Sequence, residues 1–404
     1  MTSALVFILV LAVLIFVHEM GHFLLAKMCG VGVLEFALGF GKILFQFKYG
    51  ETNYSLRAIP LGGFVRMVGD DPNMRGRDAN EIVNELAAGG IKSAEESVVS
   101  DYAELDPDQQ KLMRDKSKWF IEKGYFAKLA VVLAGPGFNL IFALLLSIGY
   151  FHFYGKADLQ AISVPRIGDT FPTHPAEKAG IKALDLVQSI NGVAVTSWED
   201  LAKNIATSDG KELTIKILRP VDEKNLDVTE PVEIKVLPSY DLAAELAAVE
   251  GKEPEKVYKI GIAPYIPRMP TSGIGESIKL GTTHVQNISL MMVNSLWGML
   301  RGMISANNLG GPISIFKATS ASAERGSESV ISLLIFLNIS LAIFNLLPIP
   351  ILDGGHLVLF TVESLKGSPI RIKILERVNQ VGMFIILLLM VFAFGNDIRR
   401  LFGN

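Results

Sequence analysis

Cysteine is almost missing from this chain: Cys29 is the only one. That excludes an intrachain disulfide and any metal cage built on thiolates. No charge of one sign dominates, since the net charge is -3. No Lys/Arg-rich groove or finger motif appears, so no nucleic-acid partner is expected. Basic residues are absent before Lys27, and no small-x-small cleavage pattern follows the first apolar run. That run therefore reads as a retained transmembrane helix and not as a secretion signal. What the chain does have is apolar surface. Half of it is hydrophobic, and the mean hydropathy is +0.37. This exceeds what a soluble protein needs and falls short of a pure helical bundle, so a membrane protein with a sizeable aqueous part is expected. A chain of 404 residues also calls for more than one module.

Four segments are apolar enough to span, about 3–27, 127–152, 329–350 and 379–395, each near the ~17–25 residues a bilayer requires. Segment 276–304 carries Ile288, Met291, Met292, Leu296, Met299, Leu300 and Met303 at helical spacing, interrupted by Asn287, Asn294, Ser295 and Arg301. It reads as an amphipathic helix on the membrane, with a fifth span as the alternative. Positive charge sets orientation. Lys42, Lys48, Arg57, Arg66, Lys116, Lys118, Lys123 and Lys128 lie between the first two spans, and Lys366, Arg371, Lys373 and Arg377 between the last two. Those loops are expected on the cytoplasmic side, and 153–328 outside; only Arg399 and Arg400 vote the other way.

Residues 33–68 alternate β-branched and aromatic runs around a "YGETN" turn, which predicts a hairpin or small sheet, apolar enough to dip into the membrane. Residues 70–125 are polar and helix-prone, with no legible chemistry. Residues 160–265 alternate strand-like pieces ("LVQSI", "LTIKIL", "VEIKVL") with Gly/Asp/Asn turns and two short helices, a compact β-rich module.

Inside the first apolar run stands His18-Glu19-Met20-Gly21-His22. On a helix, residues four apart share a face, so both imidazoles can hold one metal ion while Glu19 reaches a water on that metal. Zinc suits imidazole, lowers the pKa of such a water to about 7, and leaves Glu19 to take its proton. A charged group at membrane depth costs about 2.5–3.5 kcal/mol on insertion scales and persists when it pairs or binds an ion. A polar interhelical contact is the bland alternative. A tetrahedral catalytic site needs a third protein ligand. In "IFNLLPIPILDGGHLVLF", Pro348 and Pro350 break the helix, and Asp353 follows beside Gly354 and Gly355. Asp353 is the preferred third ligand and His356 its rival. Asn345, about two turns earlier, could hold a substrate backbone or polarise a carbonyl, or make an interhelical hydrogen bond. Asn139 has the same two readings, with the interhelical one preferred.

These motifs resemble the site-2 intramembrane zinc metalloproteases, of the bacterial RseP type. HEMGH in the first span, AGPGFN in the second and NLLPIPILDGGH in the third come in the family's order, over nearly the whole chain. Gly39-Phe40-Gly41 and "NLGGPISI" at 308–315 also fit the pattern. The resemblance implies that His18, His22 and Asp353 bind Zn2+, that Glu19 is the catalytic base, and that Gly39, Phe40 and Gly41 act with Asn345 in substrate binding. It implies that 33–68 receives an unwound substrate as an added strand, and that a PDZ-like domain filters substrates by size. One PDZ-like domain fits the space available. Leu184 in "ALDLVQSING" stands where glycine is usual, which argues against ordinary C-terminal peptide capture.

The expected fold is a polytopic α-helical membrane protein with about four transmembrane helices, a membrane-associated β-hairpin or sheet, and one inserted PDZ-like domain. Its parts are the HExxH helix (1–27), the β region (28–69), a cytoplasmic insertion (70–126), the second helix (127–152), the extracytoplasmic PDZ-like domain (153–265), and an amphipathic segment and loop (266–328). A third helix carrying LDGG (329–356), a cytoplasmic connection (357–378) and a fourth helix with tail (379–404) complete it. The expected activity is hydrolysis of peptide bonds within transmembrane segments of single-span proteins, such as anti-sigma factors or remnant signal peptides. The expected location is the bacterial cytoplasmic membrane, with the site toward the cytoplasm. Rival readings are an idle membrane scaffold with a PDZ module, a metal transporter, and a different HExxH peptidase using Glu363 or Glu376 as a ligand.

Overall fold

The computed structural model describes residues 2–71, 74–87, 105–158, 163–171, 174–222, 225–240, 258–304 and 310–402. The chain divides into two compact units, Met1–His152 with Ser272–Asn404, and Phe153–Thr271.

The first unit opens with α1 (Thr2–Met28). After a glycine turn come β1 (Val33–Tyr49) and β2 (Thr52–Met67). They are joined at the expected turn, with Tyr49 opposite Thr52. The pairing is more than a hairpin. The inner part of β1 has β2 on both sides: Leu38 faces Gly63 on one and Leu56 on the other. Gly39 and Gly62, with φ of +91° and +111°, supply the backbone turns this folding back demands. The outer parts expose Leu44, Phe45, Phe47 and Tyr49, as a membrane-dipping surface would.

The insertion has structure of its own. It holds α2 (Ala79–Ala87) and α3 (Pro107–Arg114). Asp106 caps α3 in a full capping box. Leu34 and Val68 of the β region pack with Met74, Ile82, Met113 and Trp119 in one buried core. Residues 72–73 and 88–104 of this expected insertion lie outside the described residues. The chain then enters α4 (Tyr125–Tyr154), which carries Pro136 inside it.

The second unit is β-rich. β3 (Lys156–Ala157) pairs with β12 (Arg268–Met269), β4 (Ile167–Thr170) with β11 (Ile262–Pro264), and β9 (Ser239–Tyr240) with β10 (Tyr258–Lys259). A four-stranded sheet runs β6-β5-β7-β8, from Val193–Ala194, Leu186–Ile190, Leu213–Asp222 and Asn225–Val236. Two helices, α5 (Pro175–Ala179) and α6 (Trp198–Ala206), cover a core of Ile167, Val187, Leu201, Ile215 and Ile217. Leu184 takes φ +70°, the left-handed conformation that glycine usually fills. Residues 241–257 of the expected domain lie outside the described residues.

Back in the first unit come α7 (Ile274–Leu300), α8 (Pro312–Arg325), α9 (Ser327–Asn345), α10 (Asp353–Lys366) and α11 (Ile372–Phe402). Among the described residues four helices are long and apolar enough to cross a membrane: α1, α4, α9 and α11. The segment 276–304 falls mostly on α7, which ends at Leu300 and is not one of these. The motif "NLGGPISI" starts α8. Its Asn308 and Leu309 lie outside the described residues, and Gly311, Ile313 and Ser314 donate backbone N–H groups to Asp397 of α11 at 3.0, 2.9 and 3.2 Å. A buried aspartate thus caps a helix belonging to another part of the chain. The expected third helix reaching residue 356 needs correction. α9 stops at Asn345, and LDGG opens a separate helix. Pro348 and Pro350 make the break, because each lacks the N–H that a helix interior requires.

Candidate metal centre

Two segments meet at one point. α1 brings His18 and His22 on one face, and the start of α10 brings Asp353. His18 Nε2 lies 3.2 Å from His22 Nε2 and 3.3 Å from Asp353 Oδ2, and His22 Nε2 lies 3.5 Å from Asp353 Oδ1. Ligands held about 2.0–2.1 Å from a tetrahedral zinc stand ~3.3–3.4 Å apart, so this spacing fits the ion. Among the described residues no other group of His, Cys, Asp and Glu converges in this way. Asp353 Oδ2 is buried with no hydrogen-bond donor, an orphaned anionic oxygen that a cation would satisfy.

Backbone geometry explains how Asp353 gets there. Between the two prolines and the aspartate, Ile351 adopts φ +83°. A β-branched residue rarely takes that conformation, and strain of about 1–3 kcal/mol is typical at functional turns. The chain then doubles back tightly. A Cβ on Gly354 would lie 2.3 Å from Leu347 O, and one on Gly355 would lie 2.3 Å from Ile349 O. Only glycine fits at either place.

The second span orients the imidazoles. His22 Nδ1 donates to Val131 O at 2.8 Å, which turns its Nε2 lone pair toward the site. Asn139 is fully buried, and its amide nitrogen sits 3.2 Å from His18 Nδ1 while its Oδ1 has no donor. Exchanging the amide's nitrogen and oxygen lets Oδ1 accept from His18 Nδ1–H and frees Nε2 for a metal. The interhelical contact expected of Asn139 therefore falls on one of the histidines. Gly135, from the same AGPGFN motif, leaves the room: a Cβ there would lie 2.3 Å from His22 Nε2 and 2.7 Å from His18 Cε1. Gly21 likewise lets α1 approach α4, since its Cβ would meet Ala134 O at 2.3 Å.

The site opens into a cavity of about 540 Å³, lined by His18, Glu19, His22, Asn345 and Asp353. Asn345 Nδ2 comes to 3.4 Å of His18 Nε2. Gly63, Phe64, Val65 and Met67 of β2 form another wall. Gly39, Phe40 and Gly41 are not among the lining residues; they sit at the bend of β1, where Phe40 stacks on Phe64. His356 lines the cavity without joining the three-residue cluster. Glu363 is committed elsewhere. Arg75 donates to it twice, at 2.7 and 3.2 Å, and Ile370 N donates at 2.9 Å. Both members of that pair line the cavity, about 15 Å along α10 from Asp353. No motif marks Arg75 or Gly63, and AGPGFN marks Gly135 without showing what it makes room for. Their roles depend on neighbours far away in the chain.

Two imidazoles, a carboxylate and an adjacent glutamate, set between apolar helices, have the make-up of a membrane-embedded metallohydrolase. The comparisons narrow the class. The model of peptidase family M50 matches residues 6–389, and the chain belongs to that family, the site-2 proteases. It is 30% identical to the zinc metalloprotease RasP of Geobacillus kaustophilus, over 99% of this chain and 98% of that one. It is 28% identical to the RasP of Bacillus licheniformis, over the full length of both. The regulator of sigma-W protease RasP of Bacillus subtilis is also 28% identical, over 99% of each chain. The protein is thus an integral membrane zinc metalloendopeptidase of the site-2 type.

Proposed function

We propose that this peptidase hydrolyses peptide bonds within or beside transmembrane segments of single-span proteins, with His18, His22 and Asp353 as zinc ligands and Glu19 as general base. The observation that carries the reading is the three-residue cluster, with Glu19 and residues of β2 lining the same cavity. When bound, zinc polarises a carbonyl oxygen and acidifies water. Glu19 takes the proton of the attacking water on its carboxylate and passes it to the leaving amine. Asn345, next to His18, donates its amide to the oxygen that gains charge. A transmembrane helix satisfies its own backbone, so it must unwind before its carbonyl is reachable. Gly63, Phe64, Val65 and Met67, which pair with β1 and line the cavity, offer hydrogen-bonding groups to the unwound segment. Gly39, Phe40 and Gly41 act on it through that strand.

The charge distribution supports a cytoplasmic-membrane location with the site toward the cytoplasm and the β-rich unit, 153–271, outside. That unit is read as PDZ-like and as a size filter on substrate ectodomains; Leu184 at the glycine position argues against ordinary C-terminal peptide capture. The name of the Bacillus subtilis relative links that protein to sigma-W. Membrane-anchored regulators of sigma factors are the corresponding substrate class here, with remnant signal peptides beside them.

The test is cleavage of a purified single-span substrate in detergent by the parent and by Glu19→Gln. The parent should cut within the span, and the variant should hold zinc and not cut. A variant that cuts as fast as the parent overturns the assignment of Glu19. A parent that binds substrate and never cuts leaves the scaffold reading in its place.

A further inference from the structure

The β region holds a buried ion cluster that the reaction above does not use. Glu35 is only 6% exposed. Its Oε1 accepts from Ser55 Oγ at 2.6 Å and from Arg57 Nη2 at 2.7 Å, and its Oε2 lies 3.5 Å from Arg66 Nη2. Both guanidinium groups also contact one aromatic ring. Their central carbons lie 5.0 Å (Arg57) and 5.4 Å (Arg66) from the centroid of Phe64, against which Phe40 stacks at 6.3 Å. Cation–π contacts of this kind strengthen when they are desolvated.

Stability alone does not call for such a cluster. Well-packed apolar side chains replace a buried ion group at little cost or with a gain, whereas ion groups fix one arrangement among several. What this one fixes is the strand end that borders the site. Phe64 is paired across the sheet with Ala37, and the preceding residue is pressed against the base. A Cβ on Gly63 would lie 2.9 Å from Glu19 Cγ, 2.8 Å from Ile15 Cγ2 and 2.7 Å from Ala37 O. The position of Phe64 along its strand therefore sets the position of Gly63 against Glu19. Side chains and hydrogen-bonding groups alternate along a strand with period two, so an added strand meets a fixed edge in discrete registers.

We propose that Glu35, Arg57 and Arg66 are positioning residues that clamp Phe64 and thereby select which peptide bond of the substrate is cut. The inference rests on the reading above, in which the substrate adds to the edge Gly63–Met67. Neither Glu35 nor Arg66 lines the cavity, so they act through the strand and not by touching substrate. Loosening the clamp lets the edge shift against Glu19, and the substrate is then held in more than one register.

The test maps cleavage products of a single-span substrate by mass spectrometry, using the full-length zinc-loaded protein. The parent should cut one bond. Glu35→Gln and Arg66→Gln should add products cut two residues to either side, with kcat lowered more than KM and zinc content unchanged. Phe64→Leu, which leaves the ion cluster intact and protects against loss of fold, should do the same, and Phe64→Tyr, which keeps the ring, should restore the single product. If Phe64→Leu and whichever charge variants fold all cut only the parental bond, the clamp does not set the register. If the parent binds no zinc or makes no product, the proposed function fails first, and that outcome is distinct from a parent that cuts and variants that cut identically.

Discussion

Asp185 of the β-rich unit and Asp353 of the helical unit are held in opposite ways. In the β-rich unit Asp185 is fully buried and fully partnered. It accepts from Arg219 Nε and Nη2 at 2.9 and 2.8 Å and from Lys182 N at 2.8 Å. In the helical unit Asp353 faces two imidazoles, and its Oδ2 has no donor. A buried carboxylate with both oxygens answered is a structural clamp. One with a buried oxygen left without a donor among histidines suits a cation, because burial without one is costly.

The sharpest way to break the contrast is at the chemistry. Glu19→Gln should lower kcat by at least 10²–10⁴-fold, the usual contribution of a positioned base, with bound zinc unchanged by metal analysis. The two aspartates should then part company. Asp353→Ala should strip zinc from the purified protein while its melting curve moves little. Asp185→Ala should leave zinc in place and destabilise the β-rich unit by about 3–5 kcal/mol, since Arg219 loses its buried partner; a thermal melt followed alongside zinc content checks both. Zinc retained in full by Asp353→Ala would move the third ligand elsewhere, with His356 the next candidate.

A smaller effect sharpens the role of the second span. Gly135→Ala puts a methyl group where His22 Nε2 now sits. It should weaken zinc binding, on the order of the 10–100-fold seen when groups supporting a metal ligand are altered. Competition with a chelator of known affinity measures it. Smallest is the Arg75–Glu363 tie. Burial opposes ionisation of Glu363, but the hydrogen bonds from Arg75 and Ile370 N outweigh it and hold the carboxyl below the ordinary glutamate range. Its stabilisation is therefore present above that ordinary range and lost as pH falls through the depressed value. Glu363→Gln, which keeps one acceptor oxygen, should cost about 0.5–1.5 kcal/mol near neutrality, and the gap from the parent should close on acidification. Melting curves at several pH values show whether it does.

Much of this was legible in the sequence, for a physical reason. His18, Glu19 and His22 stand out because an apolar helix makes polar residues expensive, and Asp353 because two prolines and two glycines announce a break. The four spans and the "YGETN" turn follow from composition and from turn chemistry. Other features were not legible. Gly135 and Gly63 matter for the atoms their missing side chains would strike, and those atoms lie far along the chain. Arg75 sits in a polar insertion without a motif, and only the fold brings it to Glu363. The break is legible at Pro348 and Pro350, but the helix ends at Asn345, short of the expected bounds, because the turn takes up the residues before the prolines as well.

X-ray absorption at the zinc edge tests the central claim most directly. For the purified, zinc-loaded Glu19→Gln protein, the spectrum should fit two imidazole nitrogens and a carboxylate oxygen at about 2.0–2.2 Å. In a protein that also carries Asp353→Ala, the zinc signal itself should be lost. A spectrum with one imidazole or none, or one unchanged by loss of Asp353, would contradict the assignment of His18, His22 and Asp353 as one metal centre.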